Sequence, residues 1–270
     1  MPTALVTGAS SGMGKATAKK LLEKGYTVYV AARRVDQMRD LEELGAIVLA
    51  MDITKAGEVV AAFDRITSDH AGVDVLINNA GFGLYGAVED TTIHDARYQF
   101  EVNLFGLASV TQLALPYMRS RRAGKIVNIS SVGGKVCMPL GSWYHASKFA
   151  LEGWSDCLRL ELTPFGIDVI VIEPGAIETE FGALTVGPML QRSGETAYAD
   201  LAQKMAKAAR ENDAPGKGSP PSLVADVIVK AIESRRPRTR YAAGKYARPL
   251  IGIRRWVSDR TFDRIVMRAS

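Results

Sequence analysis

A doubly wound α/β fold, one parallel sheet with helices on both faces, is what this sequence predicts, and three observations predict it. Short β-branched runs alternate with helical patterns along the chain. The runs are apolar at consecutive positions, as strands buried on both faces are. A glycine-rich turn joins the first run to the first helix, at the carboxyl end of a strand, where such folds bind their ligands.

The strand-like runs are Thr3 to Thr7, Thr27 to Ala32, Ala46 to Ala50, Val73 to Asn78, Lys125 to Ser130 and Ile167 to Glu173. Helical spacing occupies residues 13 to 24, 36 to 44, 55 to 70, 92 to 120 and 143 to 163. This order requires parallel neighbours joined by crossover helices. Residues 182 to 222 break the rhythm, with Gly182, Gly187, Pro188, Gly194, Pro215, Gly216, Gly218, Pro220 and Pro221 flanking a helical stretch from about Glu195 to Asn212. Two readings fit this insertion before the last helix and strand: a lid over the substrate, or a plain surface excursion. Residues 245 to 270 follow as a basic C-terminal extension, and the 270 residues are read as one domain.

Composition narrows the class. With 47% hydrophobic and 23% charged residues the chain is a globular protein able to bury one substantial core. No apolar run is long enough to span a bilayer, and the N-terminus runs directly into a strand. Only Cys137 and Cys157 occur, without metal-ligand spacing. A cytoplasmic location with free thiols is therefore expected, and no metal. Residues 235 to 268 hold eleven Lys or Arg against Asp259 and Asp263. A solvated basic surface is the favoured reading of that excess; membrane-surface contact by the tail is the lesser alternative, and no nucleic-acid reading motif accompanies it.

The first strand leads into Thr7-Gly8-Ala9-Ser10-Ser11-Gly12-Met13-Gly14 and then a helix. Glycines let the backbone turn tightly and approach a pyrophosphate, whose charge meets the free N–H groups of the helix N-terminus. The same run contains the G-x-S-x-G pattern of a hydrolase elbow, with Ser10 as nucleophile. A serine hydrolase places that elbow deeper in the sheet and its His late in the chain, whereas the last histidine here is His145. The second strand ends at Ala32 and continues Arg33-Arg34, where an acidic residue would accept from the ribose 2′-hydroxyl of NAD. An arginine fork matches a 2′-phosphate, so Arg33, assisted by Arg34 or Lys15, points to NADP(H). Asp52, before Ile53, either accepts from an adenine amino group or caps the next helix. Asn78-Asn79-Ala80-Gly81 closes the fourth strand, and Gly81 permits close approach of a cofactor.

Tyr144 and Lys148 stand one turn apart on one helix face. A nearby cation lowers a phenol from its ordinary value near 10, making proton transfer feasible at neutral pH. The spacing alone proves little, since Tyr241 and Lys245 share it. What distinguishes Tyr144 is Ser131 at the end of the fifth strand, a hydroxyl suited to bond the substrate oxygen; alternation along that strand turns Ser130 away.

On these motifs the chain resembles the short-chain dehydrogenase/reductase family from residue 3 to about 250, and its hydroxysteroid and retinol dehydrogenase-like branch in the Ser131-Val132-Gly133-Gly134 run and the sequence around Tyr144. The resemblance implies a seven-stranded parallel sheet, a homodimer or homotetramer, and catalytic Asn103, Ser131, Tyr144 and Lys148, with Asn103 holding a water of the proton relay. It implies NADP(H) on Gly8, Ser10, Ser11, Gly12, Met13 and Gly14, and on Arg33, Arg34, Asp52 and Ile53. Further contacts are implied at Asn79, Ala80 and Gly81, at Tyr144 and Lys148, and at Pro174, Gly175, Ile177 and Thr179. The reaction expected is interconversion of a hydrophobic ketone or aldehyde and its alcohol. Substrate contacts are expected from Phe82, Leu84, Tyr85, Val132, Val136, Met138, Leu140, Trp143, Phe181, Met189 and Leu190, positions equally suited to core packing. A non-catalytic NADP(H)-sensing protein on the same fold is the alternative class, against which the intact Ser131, Tyr144 and Lys148 set argues.

Overall fold

Consecutive strand residues serve two cores at once, which is why the strands read as unbroken apolar runs. In the computed structural model, which describes residues 1–212 and 216–269, strands β1 (Thr3–Thr7), β2 (Thr27–Ala32), β3 (Ile47–Ala50), β4 (Val75–Asn78), β5 (Gly124–Ile129), β6 (Ile167–Pro174) and β7 (Arg240–Ala243) form one sheet. The order is β3-β2-β1-β4-β5-β6-β7, with every pairing parallel. Ala4 and Val6 face a core that helix α1 (Gly12–Glu23) closes with Ala18 and Leu21, while Leu5 faces the other core. Helix α2 (Arg39–Glu43) follows a 3-10 turn and adds Leu41 to the first core; α3 (Ala56–His70) adds Phe63 and Ile66 to the second.

The expected helix over 92 to 120 is three segments. Helix α4 (Ile93–Phe100) passes through a π-helical turn, Glu101–Gly106, into α5 (Leu107–Arg121). Apolar spacing continues across the turn, so periodicity does not reveal it. The extra residue per turn carries buried Asn103 inward, where its amide clasps the main chain of Phe82. Helix α6 (Ser142–Leu162) bears Tyr144 and packs on the second core through Leu158 and Leu162.

Within residues 182 to 222 the structure has more helix than the breakers suggest. Helix α7 (Phe181–Ser193) includes Gly182, Gly187 and Pro188, and α8 (Ala199–Asn212) supplies the expected helical stretch. Both bury a small core of Val186, Met189, Ala202 and Ala206 with Ala87 and Leu140, so packing outweighs local propensity. Pro221 opens α9 (Pro221–Glu233) in its first turn, where its missing N–H costs nothing. Pro215 lies outside the described residues. After β7 the basic extension forms α10 (Ala247–Trp256) and α11 (Asp259–Ala269).

Candidate active site

The sheet order reverses beside β1, and the loop after β1 is built to stay open. Gly8 and Gly12 adopt φ of +65° and +53°, the left-handed region that favours glycine. A Cβ on Gly14 would collide with Asn79 Nδ2 and the Gly8 carbonyl. Asn79 explains the clasp: its Nδ2 donates to the carbonyls of Thr7 at 3.0 Å and Gly8 at 3.1 Å. The Thr7 hydroxyl accepts in return from the N–H groups of Asn79 and Ala80, each at 3.1 Å. The end of β4 thereby holds the turn after β1. Met13 lies in the first turn of α1, where its carbonyl accepts from Thr17 Oγ1 at 2.7 Å.

An open cavity of about 780 Å³ lies in front of this turn, with Ser10, Ser11, Gly12, Lys15 and Thr179 in its wall. Thr179 reaches back toward Gly12 from the segment after β6. Its path is fixed at Gly175, where a Cβ would strike the Lys245 carbonyl, and at Ile177, which bridges to Ser219. Pro174 ends β6 and leads into this segment. The Arg34 guanidinium spans the mouth, donating to Ser10 Oγ at 3.2 Å, Ser11 Oγ at 3.1 Å and Glu180 at 3.3 Å. Arg33 is exposed, donates to the Tyr98 hydroxyl at 3.2 Å and lies 4.0 Å from Asp52. Lys15 is engaged elsewhere, 2.8 Å from Asp40, whose carboxyl it and Lys19 pull down to about 2.

Asp52 accepts from the N–H and hydroxyl of Thr54, closing a local turn before α3, whose N-cap position is Lys55, so the expected helix cap is not formed. Burial opposes its ionisation, but the Thr54 bonds and Arg33 outweigh that and leave the carboxyl below its ordinary value. Ile53 is buried in the second core, its carbonyl against Gly106.

On the far side of the turn the catalytic candidates converge. Ser131 follows β5 and its hydroxyl accepts from Gly133 N–H at 2.9 Å. Ser130 turns to the opposite side, beside Gly134, as the alternation requires. The Ser131 hydroxyl is close enough to the Tyr144 phenol to favour its ionised form. Lys148 is buried and donates to the Ile129 carbonyl at 2.8 Å. Gly81 lies between Asn103 Oδ1 and Lys148 Nζ. Both amide hydrogens of Asn103 are engaged, one by the Phe82 carbonyl and one by Ser147 Oγ, each at 3.1 Å.

The phenol's electrostatics run opposite to the expectation from spacing. The Tyr85 and Phe181 rings lie tilted against the Tyr144 ring with centres 5.6 and 5.5 Å away, and burial raises its pKa, with Ser131 opposing. The Lys148 ammonium gives one of its hydrogens to Ile129, and burial draws its pKa down to about 8 against the pull of Glu152.

Of the expected substrate contacts, Tyr85 and Phe181 flank Tyr144, whereas Val136 and Met189 belong to side cores. The sequence reading assigned His145 no task. Met138 N–H donates to its Nε2 at 3.0 Å, so Nδ1 carries the proton to the Gly133 carbonyl, also at 3.0 Å. This neutral ring, kept so chiefly by burial, ties the Ser131 loop to α6.

The rival readings separate here. Ser10 accepts from Arg34, while His70 bonds Tyr29, His94 is exposed and His145 is committed to its loop. Ser10 therefore has no base, and the hydrolase reading fails. The second Tyr-x-x-x-Lys pair is also accidental: the Tyr241 hydroxyl accepts from Arg238 N–H, while Lys245 lies over Tyr246.

Comparison with known proteins agrees with the geometry. The family described as short chain dehydrogenase matches residues 2–186. The chain is 37% identical over 257 residues to 3-ketodihydrosphingosine reductase of Bacteroides thetaiotaomicron, covering 94% of this chain and 93% of the relative. Among solved structures it is similar to a short-chain dehydrogenase from Streptomyces avermitilis, at TM-score 0.82 and 35% identity, over 93% of this chain and 90% of that one. It is also similar to actinorhodin polyketide ketoreductase with NADPH, at TM-score 0.72 and 31% identity, over 85% and 89%. A chain that combines this clasped turn with the Ser131, Tyr144 and Lys148 cluster, and is matched so far along its length, belongs to the short-chain dehydrogenase family of oxidoreductases.

Proposed function

We propose that this protein is an NADP(H)-dependent reductase of a hydrophobic ketone or aldehyde, working reversibly on the alcohol. The observation that carries the reading is the buried Tyr144 phenol beside Ser131, with Lys148 one turn further along the same helix. The glycine turn fits a pyrophosphate, since Ser10, Ser11 and Gly12 line the open cavity where α1 begins and its first N–H groups are free among the described residues. When bound, the cofactor supplies the hydride.

The chain's own residues then manage the proton. Burial keeps Tyr144 protonated, the state a reductase needs in order to donate to an oxygen that is gaining charge. Ser131 bonds that oxygen. Lys148, with two ammonium hydrogens left beyond the one given to Ile129, would hold the cofactor ribose and would return a proton to Tyr144. Asn103, its amide hydrogens engaged by Phe82 and Ser147 and one Oδ1 lone pair by Phe82 N–H, holds the Gly81–Phe82 loop and would offer its second Oδ1 lone pair to water. Tyr85 and Phe181 exclude solvent, with α7 and α8 as the lid. The Tyr85 and Phe181 rings beside Tyr144 and a relative named for reducing a ketone support the substrate class. The chain's cytoplasmic location and its assembly as two or four copies are part of the proposal. Exposed Phe105, Leu113, Phe149 and Leu160 on and beside α5 and α6 are the apolar surface for that assembly.

Cofactor choice provides the experiment. Arg34 is anchored at the cavity mouth, and Arg33 holds only Tyr98 and distant Asp52, free to turn to a 2′-phosphate. A charge-assisted hydrogen bond contributes about 1.5 to 3 kcal/mol, so Arg33→Ala is expected to weaken NADPH about tenfold to a hundredfold and leave NADH unchanged. Dissociation constants of both cofactors check this. Equal affinity of the unmodified protein for NADPH and NADH contradicts the NADP(H) assignment.

A pH profile tests the proton path. Reduction needs Tyr144 as the phenol and Lys148 as the ammonium, and Lys148 loses its charge as pH rises through about 8. Reductive kcat/KM is therefore expected to fall on the alkaline side of that value. In Lys148→Arg the charge cannot be lost, and the fall moves to higher pH even if the rate is lower. A profile flat through pH 8 in the unmodified protein speaks against Lys148 in the path.

A further inference from the structure

The C-terminal hairpin of α10 and α11 is fixed by a few residues. Phe262 and Val266 of α11 are buried with Val136 and pack against Val132 and Met138, so the hairpin sits on the loop that leaves Ser131. Arg254 is internal to it, 2.6 Å from Asp259 and over the Phe262 ring. The outward side carries Arg248, Arg255, Arg260, Arg264 and Arg268, which have no ion pair among the described residues. Between these charges stand exposed Ile253, Ile265 and Met267, and Trp256 at the end of α10 is 85% exposed.

We infer that the outer face of the α10–α11 hairpin docks on an anionic lipid surface. Arginines attract a negatively charged leaflet, and an exposed Trp beside them suits the headgroup level, where its amphipathic ring is half wet and half apolar. A second copy of this chain is a poor occupant, because a two-fold contact would bring the same arginines face to face. Nucleic acid would meet the arginines but makes no use of Ile253, Ile265, Met267 and Trp256. Since the hairpin lies on the Val132 to Met138 loop, the lipid surface is joined to Ser131 through that loop. Delivery of an apolar substrate from that surface rests on the proposed function, whereas docking itself does not.

The test is co-sedimentation of the full chain with vesicles of phosphatidylcholine alone and of phosphatidylcholine mixed with phosphatidylserine, without cofactor or substrate. Binding is expected only with phosphatidylserine, weakening as salt rises, and accompanied by a blue shift of tryptophan emission that Trp256→Phe abolishes. Each arginine near an anionic surface contributes about 1 kcal/mol, so Arg255→Ala with Arg264→Ala should weaken partitioning about thirtyfold. The double variant should keep the parent's thermal unfolding and its oligomeric mass. Equal binding to both vesicle types, or a double variant that binds as the parent does, overturns the inference. So does binding of duplex DNA in place of vesicles, or loss of oligomeric mass in the double variant.

Discussion

Tyr144→Phe is expected to fold and to bind cofactor as the parent does, while reductive turnover falls about 10²- to 10⁴-fold, the range that general acid catalysis supplies. The substitution removes one oxygen and leaves the ring between Tyr85 and Phe181, so packing survives. It deletes both the proton and the neighbour of the Ser131 hydroxyl. The buried phenol also carries a desolvation cost that phenylalanine lacks, so thermal unfolding should not drop. Steady-state kcat, cofactor dissociation constant and unfolding temperature separate the cases. Undiminished kcat removes Tyr144 from the mechanism, and a matching loss of cofactor affinity assigns it a structural part.

The largest stability effect is expected at Arg240, whose partner Glu152 stands one turn beyond Lys148 on α6. Glu152 on α6 and Glu173 on β6 are each 4% exposed, and each carries an oxygen with no hydrogen bond among the described residues. Arg240 of β7 lies 2.9 Å from Glu152 and 3.6 Å from Glu173, and 2.7 Å from Asp156. Lys135 is the other cation, 2.7 Å from Glu152 and 3.6 Å from Glu173. Arg240→Met keeps the stem and leaves two buried carboxylates to one ammonium, which should cost about 3 to 5 kcal/mol in denaturant unfolding. Burial and Glu152 already raise the pKa of Glu173 in the intact cluster. In the variant that carboxyl takes a proton more readily still, so the deficit should narrow as pH falls through its raised value. A loss under about 1 kcal/mol, the worth of an exposed pair, contradicts this reading of the cluster.

Why some of this was legible and some was not follows from how far each signal reaches. The strands through β6 were readable because each is apolar on both faces, and two of them, Thr3–Thr7 and Thr27–Ala32, end where the sequence places them. The glycine turn and the Tyr144–Lys148 pair are local, so spacing alone brings their atoms together. Asn103 was not readable from its surroundings, since the π-helical turn that aims it is set by Phe82 from another segment. Helix α7 was hidden by Gly182, Gly187 and Pro188, whose unfavourable propensity yields to packing on Met189 and Val186. The direction of the Tyr144 pKa escapes the spacing for a related reason: a neighbouring lysine is visible in the sequence, but the rings that desolvate the phenol come from the loop after β4 and the first turn of α7. The Glu152, Glu173, Lys135 and Arg240 cluster draws on four segments and carries no short-range signature at all.

Transfer of label tests the central claim most directly. The protein is incubated with NADPH carrying deuterium at the transferable position of the nicotinamide and a panel of hydrophobic ketones, and the alcohol formed is weighed by mass spectrometry. One deuterium at the new carbinol carbon is expected with the unmodified protein, and alcohol at a level reduced in proportion to turnover with Tyr144→Phe. Alcohol without deuterium, or no alcohol from any ketone while NADPH binds tightly, contradicts the account of this chain as a reductase that works through Tyr144.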